Sequence, residues 1–510
     1  MGRPREGCPG CARRREPPRR SRLAATRISS PARLACRTLA AGAQKGGSRL
    51  TRARTLGFAD LFFYAASVAL SIRWISVAAA SGPASLPLWV VAVLVFSVPL
   101  TLATAELTSR FSDEGGVYAW TGETFGPFWG FLCGWLYWAC NLPFFSGLLV
   151  FMLNLAGLAL GPAGKPLLTQ PWLFTGVAVA VSVAVGALHF AGLGTGKWLS
   201  NVGGASNFVL LALLALTAVG NGMRHGSATD FVHASYRPPL DANGAILWAV
   251  MVFGVAGCEA LGFLRNEVRG GMRTILAVLA CVALLQVAFY VGGTSSLLAI
   301  ITPQGATRLS GLPDALIQGL GALGLSGVAP LVLAGAFLCS LGSYSAWFGV
   351  AARLPFAAGI DAFLPRAFGR RDPRTGAPVV SILVQTLIVA VIVVISQAGD
   401  TLKGAYDFLV AMSVLSYTLP FLFLFSVFLV VQRQTPPEGA WRTPGGRGVA
   451  LAMGTVGLAA TALAVGCTLV PSPDAKDPAG EVVKLVVASA ALIGAGVAFY
   501  VGARRRKAPA

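Results

Sequence analysis

Apolar residues fall along this chain in long unbroken windows, not in the alternation of a half-buried strand or the spaced stripe of a surface helix. Twelve windows are read, at about 58–80, 86–108, 127–157, 171–190, 198–219, 244–264, 274–300, 328–352, 378–398, 404–431, 448–470 and 483–502. Each is close to the roughly 20 residues a helix needs to cross the hydrocarbon core of a bilayer. Inside lipid every backbone N–H and C=O must find a partner within its own segment, so these windows predict α-helices. The predicted fold class is an all-α polytopic membrane protein with 12 transmembrane helices. The window at 127–157 is long enough to tilt, or to bend at Pro143.

Composition sharpens this picture. Of the 510 residues 55% are hydrophobic and 12% charged, against about 25% charged in soluble domains, and the mean hydropathy is +0.70. The net charge of +20 would suggest a nucleic-acid partner if it covered a soluble surface. It is instead concentrated at the start: residues 1–55 hold fourteen Arg, Lys45 and only two acids, Glu6 and Glu16, a net +13. The lipid bilayer is the expected partner, and no nucleic acid. That first segment, rich in Arg, Pro, Ala, Gly and Ser without apolar periodicity, is read as a disordered basic cytoplasmic tail. An over-extended start and an organellar transit peptide are its alternatives.

Positive charge also orients the windows. With the amino end inside, seventeen Lys and Arg lie on inner connections and seven on outer ones, the tail left aside. Both termini are therefore expected in the cytoplasm, with the connections at about 221–243 and 301–327 outside. Six of nine cysteines sit in apolar windows, and Cys8 and Cys11 lack the further ligands a zinc site requires. Three histidines (His189, His225, His233) form no recognised metal or catalytic spacing. No enzyme, catalytic residue, metal or cofactor is expected.

Two charges lie deep in windows, where a charge at a helix centre costs about 2.5–3.5 kcal/mol on insertion scales. Glu259 follows Gly254 and Gly257, which permit the helix to unwind; it either serves a substrate or holds freed backbone amides together. Arg73 is the basic counterpart in the first window. Its guanidinium suits a substrate carboxylate, or an outer gate, or an internal pair with Glu259. Asp407, near the outer end of the tenth window, reads as a hydrated interfacial charge.

Three stretches then resemble the amino acid, polyamine and organocation permease superfamily. Ala105–Trp135 is similar to its E-L-x-x-x-x-P-x-x-G-G-x-Y-x-W segment, Phe253–Ile275 to its F-x-G-x-E followed by E-x-x-N-P-x-R, and Ala351–Ser381 to its S-R-x-x-x-x-x-A-x-D-G-x-L-P loop. The resemblance implies a leucine-transporter-like five-plus-five inverted repeat in residues 56–432, with helices 1 and 6 broken near the midplane, and with helices 11–12 and a basic C-terminus in 433–510. It implies secondary active transport of amino acids or related amines across the plasma (inner) membrane by alternating access. Polyamines are the runner-up substrate, and an ion channel is the rival class.

On this resemblance the substrate site falls at Ser67, Val68, Ala69, Ser71, Arg73, Phe253, Gly254, Gly257 and Glu259. Phe253 would close over the substrate, and Arg73 and Glu259 would neutralise the two ends of an amino acid. Gating or loop-locking roles fall to Glu106, Glu267, Arg353 and Asp361. Three departures stand out: no Gly or Pro occurs in 60–81 where the family has G-x-G, the Lys nearest helix 5 is Lys197 at its mouth, and Gly270-Gly271 replaces Asn-Pro. The coupling ion, H⁺ or Na⁺, stays open.

Overall fold

The computed structural model describes residues 57–111, 116–190, 193–357, 363–397, 402–471 and 477–507. The tail of 1–55 and Asp361 lie outside the described residues, as do the side chains of Ser67 and Glu267. Among the described residues eleven helices are long and apolar enough to cross a membrane. The first window is not among them, because it is split into α1 (Phe58–Ala69) and α2 (Arg73–Ala79). At 1.5 Å per residue neither half alone spans a hydrocarbon core of about 30 Å.

The chain continues through α3 (Ser85–Arg110), a short α4 (Gly116–Phe125) and α5 (Pro127–Ala159). Then come α6 (Pro171–Phe190), α7 (Leu193–His225) and α8 (Ala242–Gly254). A tight 3₁₀ stretch, Cys258–Glu267, follows α8. The rest is α9 (Met272–Ile300), α10 (Gly311–Ala322), α11 (Ala329–Ala357), α12 (Val379–Gln397), α13 (Leu402–Val431), α14 (Gly446–Cys467) and α15 (Pro478–Lys507). The helices α4 and α10 fall in connections where only loops were expected. Ten and twelve residues long, they are too short to have been read as windows.

The two breaks have different causes. In the sixth window Gly257 takes φ +108°, the left-handed region that favours glycine. A Cβ there would lie 2.7 Å from the carbonyl oxygen of Val68, so the glycine is also what lets the two broken segments touch. In the first window the chain leaves the helix through Leu70 at φ −122°, ψ 133°, an extended conformation open to any residue. No glycine is needed, which accounts for its absence, and the break falls at residues 70–72.

What the first break requires is partners for its freed backbone groups, and α9 supplies them. The Tyr290 hydroxyl accepts from the Ser71 N–H (3.2 Å) and lies 2.8 Å from the Gly254 carbonyl and 3.3 Å from that of Ala69. Its single proton goes to the nearer acceptor, Gly254. One turn earlier Gln286 Nε2 donates to the Val255 carbonyl (2.9 Å), lies 3.5 Å from the Ala69 carbonyl, and is held by Ser97 donating to its Oε1 (2.6 Å). One turn later Thr294 accepts from Trp89 Nε1 (3.2 Å), and the Trp89 ring stacks on Tyr290 at 4.1 Å. A single polar stripe on α9 thus ties both breaks together.

Candidate functional site

Between the broken segments and helices α5, α7, α9, α11 and α13 lies a cavity of about 840 Å³, its open mouth included. Of the residues expected at the site, Val68, Ala69, Ser71, Arg73, Phe253 and Gly254 line it, together with Trp74, Asn141, Phe144, Tyr290, Ser343, Trp347 and Tyr417. Gly257 and Glu259 do not.

Arg73 is brought there by the break, which starts α2 at this residue. The side chain is 2% exposed, and its Nε and Nη1 have no hydrogen-bond partner among the described residues. Its guanidinium carbon sits 4.1 Å from the centre of the Trp74 ring and 5.0 Å from that of Phe144. Those faces attract a cation but accept no hydrogen bond from Nε or Nη1. Buried donors without acceptors are costly, and an anion in the cavity would relieve that cost. No pairing of Arg73 with Glu259 is found among the described residues.

Glu259 stands behind the cavity wall. It is 0% exposed, and both oxygens are engaged: Oε1 accepts from the hydroxyls of Tyr137 (2.9 Å) and Tyr417 (2.5 Å), Oε2 from the N–H of Gly257 (2.8 Å). The carboxylate thus holds the tip of the broken helix and joins it to α5 and α13. This geometry matches the reading in which Glu259 binds freed amides, and it removes the face-to-face pair of charges expected across the substrate. Phe253 packs edge-on against Trp74 (5.1 Å) and Tyr417 (5.0 Å), closing one side of the cavity with aromatic rings.

Among the gating candidates, Glu106 is buried. It is 1% exposed at the end of α3, accepting from Gln432 Nε2 (2.9 Å), the Thr443 N–H (2.9 Å) and hydroxyl (2.6 Å), and Arg110. It therefore fastens α3 to the connection between α13 and α14. Arg353 donates within its own helix to the Gly349 carbonyl (2.6 Å). Asp407 is 10% exposed and lies 3.5 Å from Arg308. The pair borders a second cavity of about 660 Å³ under Tyr406 and Val77.

Sequence reasoning missed Tyr137, Tyr417, Gln286 and Tyr290. The α9 residues carry a signal, since Gln286, Tyr290 and Thr294 recur every four positions in a mostly apolar window, one face of a helix. The tyrosines of α5 and α13 carry none, because each sits in an aromatic-rich stretch where packing is the ordinary explanation.

A family model described as amino acid permease matches residues 56–494. An uncharacterised transporter of Legionella pneumophila is 23% identical over 393 residues, 76% of this chain and 83% of that one. The inner membrane transporter YjeM of Salmonella typhimurium is 25% identical over 387 residues, 68% of this chain and 76% of its own. A probable agmatine/putrescine antiporter of Lactococcus lactis, AguD, is 23% identical over 355 residues, 68% and 73% of the two chains. Among solved structures, a manganese transporter of Eremococcus coleocola aligns with a TM-score of 0.54 over 88% of this chain and 93% of that one. At 14% identity this likeness carries the fold alone, the five-plus-five inverted repeat of the leucine-transporter type. Among the described residues no group of three or more His, Cys, Asp or Glu is placed to hold a metal ion.

Proposed function

The chain belongs to the amino acid permease family, and we propose that it carries amino acids through the cavity between its broken first and sixth helices, with Arg73 holding the substrate carboxylate. It is a secondary transporter, not an enzyme. We place it in an inner membrane, as YjeM is by name, with both termini cytoplasmic on the strength of the basic inner connections.

The observation that carries this reading is a buried guanidinium with two unpartnered nitrogens on the cavity wall. At 4 Å and an effective dielectric of 20, it attracts a carboxylate by about 4 kcal/mol and repels an ammonium by as much. The polyamine reading draws on the relative AguD, but a polyamine brings only cations to this wall. For transport, breaks at mid-membrane let the half-helices tilt on either side of a fixed site. The α9 stripe gives those half-helices a common pivot.

A ligand panel read by thermal stabilisation tests the assignment, since ligand at 100 times its Kd adds about 2.7 kcal/mol. One or more zwitterionic amino acids should stabilise the parent. Arg73→Gln should weaken them roughly ten- to hundredfold, as expected for loss of a charge-assisted hydrogen bond. Stabilisation by putrescine or spermidine and by no amino acid would overturn the reading.

A further inference from the structure

The carbonyl ends of the two broken helices form part of the cavity wall, through residues 68–72 and through Gly254 and Ala256. Leu70 caps α1 and Ala256 lies two residues past α8, and among the described residues neither carbonyl accepts a hydrogen bond. A helix C-terminus carries partial negative charge. These ends therefore suit the ammonium of an α-amino acid, while Arg73 takes its carboxylate. The substrate backbone is then matched at both charges, and the rest of the wall faces its side chain.

A cationic side chain can be held in such a space by an acid or by the face of an aromatic ring. Among the described lining residues Arg73 carries the only formal charge, so no acid lines it. Glu259 stands behind the wall with both oxygens engaged, and Asp407 lines the other cavity. Two ring faces are already covered by a cation of the protein itself, since the Arg73 guanidinium carbon lies 4.1 Å from the centre of Trp74 and 5.0 Å from that of Phe144. Phe253 packs on both of these rings (5.1 and 6.2 Å) and Trp347 on Phe144 (6.2 Å), which keeps the neighbouring rings close to the same charge. A second cation elsewhere in the cavity is repelled by the first.

We propose that Arg73 fills the place on Trp74 and Phe144 that a side-chain cation would take, so that the site accepts amino acids with neutral side chains and rejects arginine and lysine. This rests on the amino-acid reading above and narrows it. A neutral side chain gains from the same rings by apolar contact. Asn141, whose amide N–H groups are spent on the carbonyls of Tyr137 (2.9 Å) and Trp138 (3.2 Å), keeps an oxygen for a side-chain donor.

Two matched pairs decide it, L-citrulline against L-arginine and L-norleucine against L-lysine, titrated against the purified full-length protein with apparent Kd taken from the melting temperature. Within each pair the backbone is the same, so its bonds to Arg73 and to the helix ends cancel in the ratio. In the parent the cationic member is expected to be more than about a hundredfold weaker than its neutral partner, the size of a like-charge repulsion across about 6 Å. Arg73→Ala should weaken the neutral amino acids, as the carboxylate role requires, and shrink each ratio by at least about tenfold, because the uncovered rings now take the cation. Arg73→Gln serves where the alanine variant does not fold. A cationic member within about tenfold of its partner in the parent overturns the inference and leaves the amino-acid reading intact. So does a ratio unmoved by either substitution, which assigns the exclusion to something other than Arg73. Silence of all four probes while a smaller amino acid binds makes size the criterion and likewise overturns it. Stabilisation by no amino acid at all overturns both the inference and the reading on which it rests.

Discussion

At the scale of the residue, the site is organised by two charges placed where charge is expensive, and each is stabilised differently. Arg73 is met by aromatic faces, whereas Glu259 is engaged by two hydroxyls and a backbone N–H. Both were legible in the sequence, because a lone charge in an apolar window has few explanations. Their separation was not, since spacing along the chain cannot tell which side of a helix tip a carboxylate takes once the backbone has unwound. The engagement of Glu259 makes a definite expectation. Tyr417→Phe removes a donor to a buried carboxylate and should cost about 1.5–3 kcal/mol of stability. Chemical or thermal unfolding in detergent measures this, and an unchanged melting temperature would show that the carboxylate is neutral or otherwise satisfied.

At the scale of the element, a pair of interrupted helices is held by a third, intact one. The break after Gly254 could be read from its glycines, since a left-handed residue in tight contact leaves a compositional trace. The break at Leu70 left none, because an extended residue costs nothing in side-chain type and the stabilising groups lie more than two hundred positions away on α9. The two breaks should therefore fail differently. Gly257→Ala forces a Cβ to 2.7 Å from the Val68 carbonyl oxygen and adds a left-handed penalty of about 1–2 kcal/mol. It should abolish uptake by separating the half-helices. Tyr290→Phe keeps the ring and its stacking on Trp89 but orphans the Ser71 N–H and the Gly254 carbonyl, a loss of about 1–3 kcal/mol. Uptake into proteoliposomes beside melting temperature separates the cases, and wild-type transport by Gly257→Ala would contradict the contact argument.

At the scale of the whole molecule, the windows were legible because lipid imposes one rule on every spanning segment. Among the described residues eleven of them hold spans long and apolar enough to cross, the sixth running through its break, and the first is split into two short helices. The inner network of Glu106 was less legible. Its partners Gln432 and Thr443 lie beyond the tenth window, in a stretch with no apolar pattern to register it against α3. The tail of residues 1–55 is proposed as a cytoplasmic extension of the transport body. Orientation has its own test, since Ser227 is exposed between α7 and α8. A cysteine placed there, with the native cysteines replaced, should react with an impermeant thiol reagent on intact cells. Reaction only after permeabilisation would invert the topology.

The central claim is that a substrate carboxylate rests on Arg73 between the broken helices, and a structure of the protein determined with a saturating amino acid tests it most directly. The account predicts ligand density in the cavity of about 840 Å³, with its carboxylate within hydrogen-bonding distance of the Arg73 guanidinium and its body among Trp74, Phe144 and Phe253. Density seated instead in the cavity beside Arg308 and Asp407, or in the central cavity with an ammonium facing Arg73, would contradict it.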